Sequence, residues 1–273
     1  MNTSDPRAAA AGAGRQARRL ADHPMLEKGA RLGFVMNGLL HVLIAVIALR
    51  VAVGGSGGEQ ADQSGALAML RDAPFGSVLV WLMVIGLLAL GLLLLTQAVL
   101  PAFGTDAKER AKAGAKGVVY LAVAATAFGF ARGTKGEESS AQDSQQATST
   151  LMGMPGGRIL VGVLGVAVLG FGLYYAYRGW SRRFTESLEA HPGEWPVRMG
   201  VAGYVAKGLA LAIVGILFVT AAVTLDAETS SGLDGALRSL RDQPFGAVLL
   251  GLIALGLAAF GVWCFFRAKH EDL

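Results

Sequence analysis

The side chains best able to do chemistry in this chain are few and scattered. Its four histidines are His23, His41, His191 and His270, and no two have the short spacing of metal ligands. Cys264 is the single cysteine, so there is neither a disulfide framework nor a cysteine zinc site. The phosphate-cradling Walker pattern, the His-Glu-x-x-His pair and the Gly-x-Ser-x-Gly elbow are all missing. The run Gly54-Gly55-Ser56-Gly57-Gly58 follows no strand and reads as a flexible loop. No catalytic, cofactor-binding or metal-binding residue is assigned, and the expectation is a protein that is not an enzyme. What remains is a set of polar residues within or beside apolar stretches: Asn37, His41, Lys116, Tyr120 and Lys207. At membrane depth such side chains are expensive, turn toward protein rather than lipid, and mark sites of function by default.

Those residues must be carried by membrane helices. Of 273 residues 53% are apolar and only 16% charged, where a soluble domain has about 25% charged. A span needs about 20 mostly apolar residues. Six stretches qualify: 34–53, 75–100, 111–131, 157–177, 199–225 and 245–266. The third spans only if its short apolar part, 117–131, is extended through 111–116. Lipid offers the backbone no hydrogen-bond partners, so each is read as a helix. Sixteen lysines and arginines fall on the side of the two termini and six on the other. The positive-inside rule then places both termini in the cytoplasm and the chain in an inner membrane. Residues 1–25 lack the apolar core of a signal peptide and read as a disordered basic tail. The net charge of +4 is dispersed between apolar blocks, so no nucleic-acid partner is expected. The expected partners are the lipid bilayer and either this chain itself or another membrane protein.

The chain repeats itself. Gly65-Ala66-Leu67-x-x-Leu70-Arg71-Asp72-x-Pro74-Phe75-Gly76 recurs as Gly235-Ala236-Leu237-x-x-Leu240-Arg241-Asp242-x-Pro244-Phe245-Gly246. A weaker middle copy aligns Gly117 with Gly38 and Gly208, Pro155 with Pro74 and Pro244, and Gly172 with Gly91 and Gly261. The units are 26–103, 104–190 and 191–273, each of two helices, so all three enter the membrane from one side as parallel repeats. Three tandem two-helix units with an early glycine in the first helix and a Pro-Phe-Gly-type start to the second resemble the bacterial membrane family catalogued as domain of unknown function 1206. The resemblance covers roughly residues 25–270 and implies six spans. It implies no activity and supplies no catalytic residues.

The outer loops of repeats one and three are expected to hold short helices, capped by Ser64 and Asp234, with Leu67/Leu70 and Leu237/Leu240 on a buried face. Pro74 and Pro244 fit the first turn of the next span. Arg71, Asp72, Arg241 and Asp242 form a candidate outer rim, with caps and surface ion pairs as the competing account. The segment 133–150, rich in Ser, Gln and acidic residues, reads as disordered. Asn37, Lys116 and Lys207 each precede a matched glycine and form a candidate polar ring with His41 and Tyr120. The competing account of Lys207 is snorkelling to the headgroups, and that of His41 is a bond between helices. Gln97, Arg178 and Arg267 also correspond. Small-residue faces suit a compact bundle with the second helices near its centre, and Trp180, Trp195 and Tyr174, Tyr175 and Tyr177 suit an interfacial belt. The function expected is a scaffold or accessory subunit. The alternative is a small channel or carrier for ions or anionic solutes along the pseudo-threefold axis.

Overall fold

The structure is a computed structural model that describes residues 24–55, 60–99, 106–134, 140–186, 188 and 193–271. The basic tail, and most of the glycine run after Gly55, lie outside the described residues. Six helices are long and apolar enough to cross a membrane: α1 (Pro24–Ala52), α3 (Gly76–Val99), α4 (Ala107–Ala131), α6 (Gly157–Trp180), α7 (Glu194–Thr224) and α9 (Gly246–His270). The third span is extended as required: α4 begins at Ala107, and 25 residues at about 1.5 Å each suffice for a core of about 30 Å. Three short helices connect the pairs: α2 (Gln63–Asp72), α5 (Ser140–Met152) and α8 (Gly232–Arg241).

Neighbouring helices follow the order α4, α3, α1, α9, α7, α6. Three junctions in that row join the second helix of one repeat to the first helix of another: α3 with α4, α6 with α7, and α9 with α1. At each junction the two repeat-matched glycines meet. A β-carbon on Gly38 would lie 2.7 Å from the Gly261 carbonyl oxygen, one on Gly117 3.0 Å from that of Gly91, and one on Gly208 2.6 Å from that of Gly172. Side chains cannot fit there, so backbone packs on backbone, as membrane helices do where no hydrophobic effect drives them together.

The two helices within a repeat pack in repeats one and three but do not form a packed pair in repeat two. The reason lies five residues before each matched glycine. A β-carbon on Gly86 would lie 2.8 Å from the nitrogen of Gly33, and one on Gly203 2.5 Å from the α-carbon of Phe260. Gly33 and Gly203 correspond to Lys112, and Gly86 and Gly256 to Ala167. A lysine cannot enter such a contact, and α4 and α6 are left as the two edges of a seam. Gly170 in α6, at the position of Ala89, has nothing within 4 Å. Of the second helices expected near the centre, α9 is as buried as α1, whereas α6 is the least buried span.

The loops correct three expectations. Segment 140–152 is the helix α5, held by Thr148, which is buried, and by Gln145, whose Nε2 donates to the Glu228 carbonyl oxygen at 2.8 Å. Its polar composition reflects an exposed surface rather than disorder. Ser64 and Asp234 lie inside their helices. The cap of α2 is Asp62, whose carboxylate accepts from the Ser64 and Gly65 nitrogens. Asp234 accepts from the Ala61 nitrogen at 2.8 Å and from Arg238 Nε at 2.8 Å, so repeat three caps the loop of repeat one. Pro74 and Pro244 precede their helices, in turns whose next residue, Phe75 or Phe245, has φ of 60° or 62°. Gly156 holds this place in repeat two, at φ 77°. The leucine expectation holds for the short helices: Leu67, Leu70 and Leu237 are buried and Leu240 packs against the same core.

Gly208→Leu should lower the midpoint of thermal unfolding in detergent, with overpacking costing about 1–3 kcal/mol, whereas Gly251→Leu, a site with open space around it, should leave the midpoint unchanged. Asp234→Ala strands the buried Ala61 N–H and removes the Asp234 ion pair of Arg238. It should cost about 1–3 kcal/mol and raise hydrogen exchange in segment 60–66, read by mass spectrometry.

Candidate functional site: a cationic layer near the terminal end of the bundle

Among the described residues, the end of the bundle that carries both chain termini gathers buried Arg267 and half-buried Lys116, Arg178 and Lys207. Their positions repeat. One residue before the first matched glycine stand Asn37, Lys116 and Lys207; six residues after the second stand Gln97, Arg178 and Arg267. Because the glycines dock each second helix against a first helix, these two sets fall into adjacent layers.

Lys207 does not snorkel. It lies thirteen residues into α7 from Glu194, roughly 20 Å along the helix, and its ammonium turns inward. The Nζ donates to His41 Nε2 at 3.0 Å and sits 4.3 Å from the centroid of the Phe260 ring and 5.8 Å from that of Tyr175. His41 Nδ1 is 2.8 Å from the Asn37 carbonyl oxygen. A carbonyl only accepts, so Nδ1 carries the proton and Nε2 is left to accept from lysine. His41 thus links α1 to α7, as a helix-to-helix bond. Asn37 Nδ2 donates to the sulfur of buried Cys264 at 3.4 Å. Around the ammonium are therefore a neutral imidazole and aromatic faces, and among the described residues no carboxylate pairs with it.

The next layer also follows the repeat. Arg267 stacks on Phe34 with its guanidinium carbon 4.3 Å from the ring centroid, and Arg178 on Tyr204 at 5.6 Å. Phe34 and Tyr204 each stand four residues before a matched glycine; the third such pair is Gln97 and Ala113, which cannot stack. Arg267 is satisfied by a two-pronged pair with Glu271, both side chains being buried. Arg178 and Lys116 have no carboxylate pair among the described residues. Lys116 lies within electrostatic reach of Arg178, Arg267, Glu109 and Glu271.

Other cations here are structural. Arg31 donates to the Ala268 and Lys269 carbonyls at 2.9 and 3.0 Å, and Arg110 to those of Ala98 and Val99 at 2.9 and 3.0 Å. Both stand seven residues before a matched glycine and cap the C-terminus of the neighbouring second helix. Lys112 pairs with Glu109 at 2.6 Å. Lys112, Lys116, Arg178, Lys207 and Arg267 thus face two carboxylates, Glu109 and Glu271, leaving three positive charges unmatched.

Of the expected ring, Asn37, His41 and Lys207 come together directly. Lys116 and Tyr120 reach the same interior from α4, with Tyr120 packed beside Phe34, Leu90 and Leu93. Phe260, Tyr175, Tyr204 and Arg178 complete the site. The aromatic residues were legible only as core or belt, and Tyr175 leaves the belt to stack on Tyr204, with centroids 5.6 Å apart. The outer rim is not assembled into one site. Arg71 pairs with its neighbour Asp72 at 3.2 Å, and Asp242 forms the C-terminal cap of α8. Arg241 lies against Gly54. Among the described residues no three His, Cys, Asp or Glu side chains gather as metal ligands would.

Comparison with known proteins matches this arrangement. No solved structure is similar to the chain. A protein of Bacillus subtilis strain 168, described as "Uncharacterized protein YxxB", is 25% identical over 260 residues, covering 92% of this chain and 93% of the relative. The family described as Domain of Unknown Function (DUF1206) matches three times, at residues 32–100, 111–182 and 202–270, one match for each two-helix unit. With most of its length inside those three matches, the chain belongs to the DUF1206 family.

Proposed function

We propose that this protein is a non-enzymatic inner-membrane protein, with both termini cytoplasmic, that binds an anion within its cationic layer and serves as a small carrier for it. The observation that carries this reading is Lys207, an ammonium turned into the bundle whose hydrogen-bond partner is a neutral histidine. Burying a charge costs several kcal/mol (roughly) unless it is paired, and rings at 4.3 and 5.8 Å return only about 0.5–2 kcal/mol each. An anion supplies the missing term. Lys116 and Arg178 add to the field at the same end, and no Asp or Glu competes from deep inside the spans. The orientation rests on the excess of cations at the terminal end.

The scaffold reading keeps some support from Gly170 and Gly251, which have nothing within 4 Å, and from the poorly buried α6. The repeat-matched glycines do not add to it, because they are used between this chain's own helices. The two readings part in liposomes. Chloride and phosphate efflux should exceed that of empty vesicles and fall about tenfold or more in Lys207→Gln, a variant checked for folding by its unfolding midpoint. Tenfold is about 1.4 kcal/mol, a modest fraction of the worth of one buried charge contact. Efflux equal to that of empty liposomes, with no anion-dependent rise in the midpoint of the wild type, overturns the anion reading and leaves the scaffold.

A further inference from the structure

The seam between α4 and α6 is the one place where the six-helix row is left open by its own sequence. In repeats one and three the equivalent faces are closed by Gly33 on Gly86 and by Gly203 on Phe260. In repeat two the matching residues are Lys112 on α4, and Ala167 and Phe171 on α6. Phe171 is 47% exposed, whereas its counterparts Leu90 and Phe260 are buried. Gly170, beside it, faces open space. Along Ala167, Gly170 and Phe171 the seam is therefore apolar and open to the lipid.

Its terminal end is charged. Lys116 on α4 and Arg178 on α6 stand on the two edges, within electrostatic reach of one another, and neither has a carboxylate pair among the described residues. Tyr174 of α6 lies within reach of Lys112 across the same gap. Two unmatched cations at the head of an apolar cleft are complementary to a molecule with an anionic head and apolar tails. A free solute anion satisfies the cations but leaves the cleft without an occupant. A further apolar helix fills the cleft but leaves the cations unmatched.

We infer that the seam between α4 and α6 seats an anionic phospholipid, its phosphate between Lys116 and Arg178 and its acyl chains along Phe171 and Gly170. This rests on the anion reading and names the ligand class and its route: the headgroup reaches the layer sideways, from the leaflet at the terminal end, with Lys207 deeper inside. Favouring net negative charge, the site should prefer phosphatidylglycerol or cardiolipin to phosphatidylethanolamine, whose phosphate is balanced by an amine.

The test is native mass spectrometry of the full-length protein in detergent, titrated with phosphatidylglycerol, phosphatidylethanolamine or inorganic phosphate. Wild type should retain phosphatidylglycerol about tenfold better than phosphatidylethanolamine. Lys116→Gln/Arg178→Gln should lose that preference, and Lys116→Arg/Arg178→Lys, which keeps the charges, should restore it and so serve as the folding control. Equal retention of the two lipids, with inorganic phosphate still bound, overturns the lipid inference and leaves the anion reading standing. A preference unchanged in the double Gln variant but lost in Lys207→Gln overturns the seam as its place. A lipid-free dimer crosslinked through Gly170→Cys puts a second copy in the seam and overturns the inference. Binding of neither lipid nor phosphate overturns both readings.

Discussion

Everything in this bundle depends on three places where one glycine carbonyl lies against another glycine. Inside a bilayer, apolar side chains gain little by leaving lipid for protein, so association rests on close packing and on polar contacts. Gly38 with Gly261, Gly117 with Gly91, and Gly208 with Gly172 let α1 and α9, α4 and α3, and α7 and α6 approach until backbones touch. These contacts join different repeats rather than the two halves of one. Each repeat is therefore completed by its neighbour, and the chain closes on itself because α9 returns to α1.

That constraint fixes the register of the polar groups. A residue one before the first glycine, or six after the second, takes the same place relative to the glycine contact at every junction. The chain uses those places unevenly. At the α9–α1 junction the layer is neutralised: Arg267 has both Phe34 and Glu271, and Asn37 has Cys264. At the α6–α7 junction it is charged: Arg178 has Tyr204, and Lys207 has His41 and Phe260. At the α3–α4 junction Gln97 and Lys116 hold the positions, with no stacking partner on α4. Positive charge accumulates toward repeat two although the three repeats share one frame.

Six spans, three two-helix repeats and the matched glycines were legible in the sequence because lipid leaves few alternatives: a run of about 20 apolar residues is a helix, and a glycine recurring at a fixed place is a contact. The pairing of those glycines with each other was not legible, since sequence spacing within a helix says nothing of which helix lies opposite. Lys207 illustrates the limit for the site. Its depth favoured snorkelling over a buried ring, and the acceptor at His41 Nε2, on a helix far away in sequence, turns the ammonium inward instead. Asp234 shows the same limit outside the spans. A residue near a helix start reads as a cap of its own helix, and here it caps Ala61 of another repeat. Segment 140–152 was misread for a different reason. Polarity marks contact with water, and a helix stabilised on one side by Thr148 and Gln145 has that contact as readily as a disordered loop.

The departures of repeat two from the other repeats converge on one line of the structure. Lys112 replaces a contact glycine, and Gly170 an alanine that would have touched its neighbour. Phe171 is left outward where Leu90 and Phe260 are buried, and Gly156 replaces the phenylalanine at the turn into the second helix. Random drift in a degenerate copy would weaken contacts on every face of its helices. Here the faces of α4 and α6 that meet other repeats keep Gly117 and Gly172, opposite Gly91 and Gly208, and depart at Ala113, whereas the face that α4 and α6 would turn to each other has lost both contact glycines. A bundle that merely tolerated a worn repeat would have no reason to leave Lys116 and Arg178, among the described residues, without a paired carboxylate at the same seam. The opening and the charge occur together, so the seam is better explained as a built entrance than as a defect.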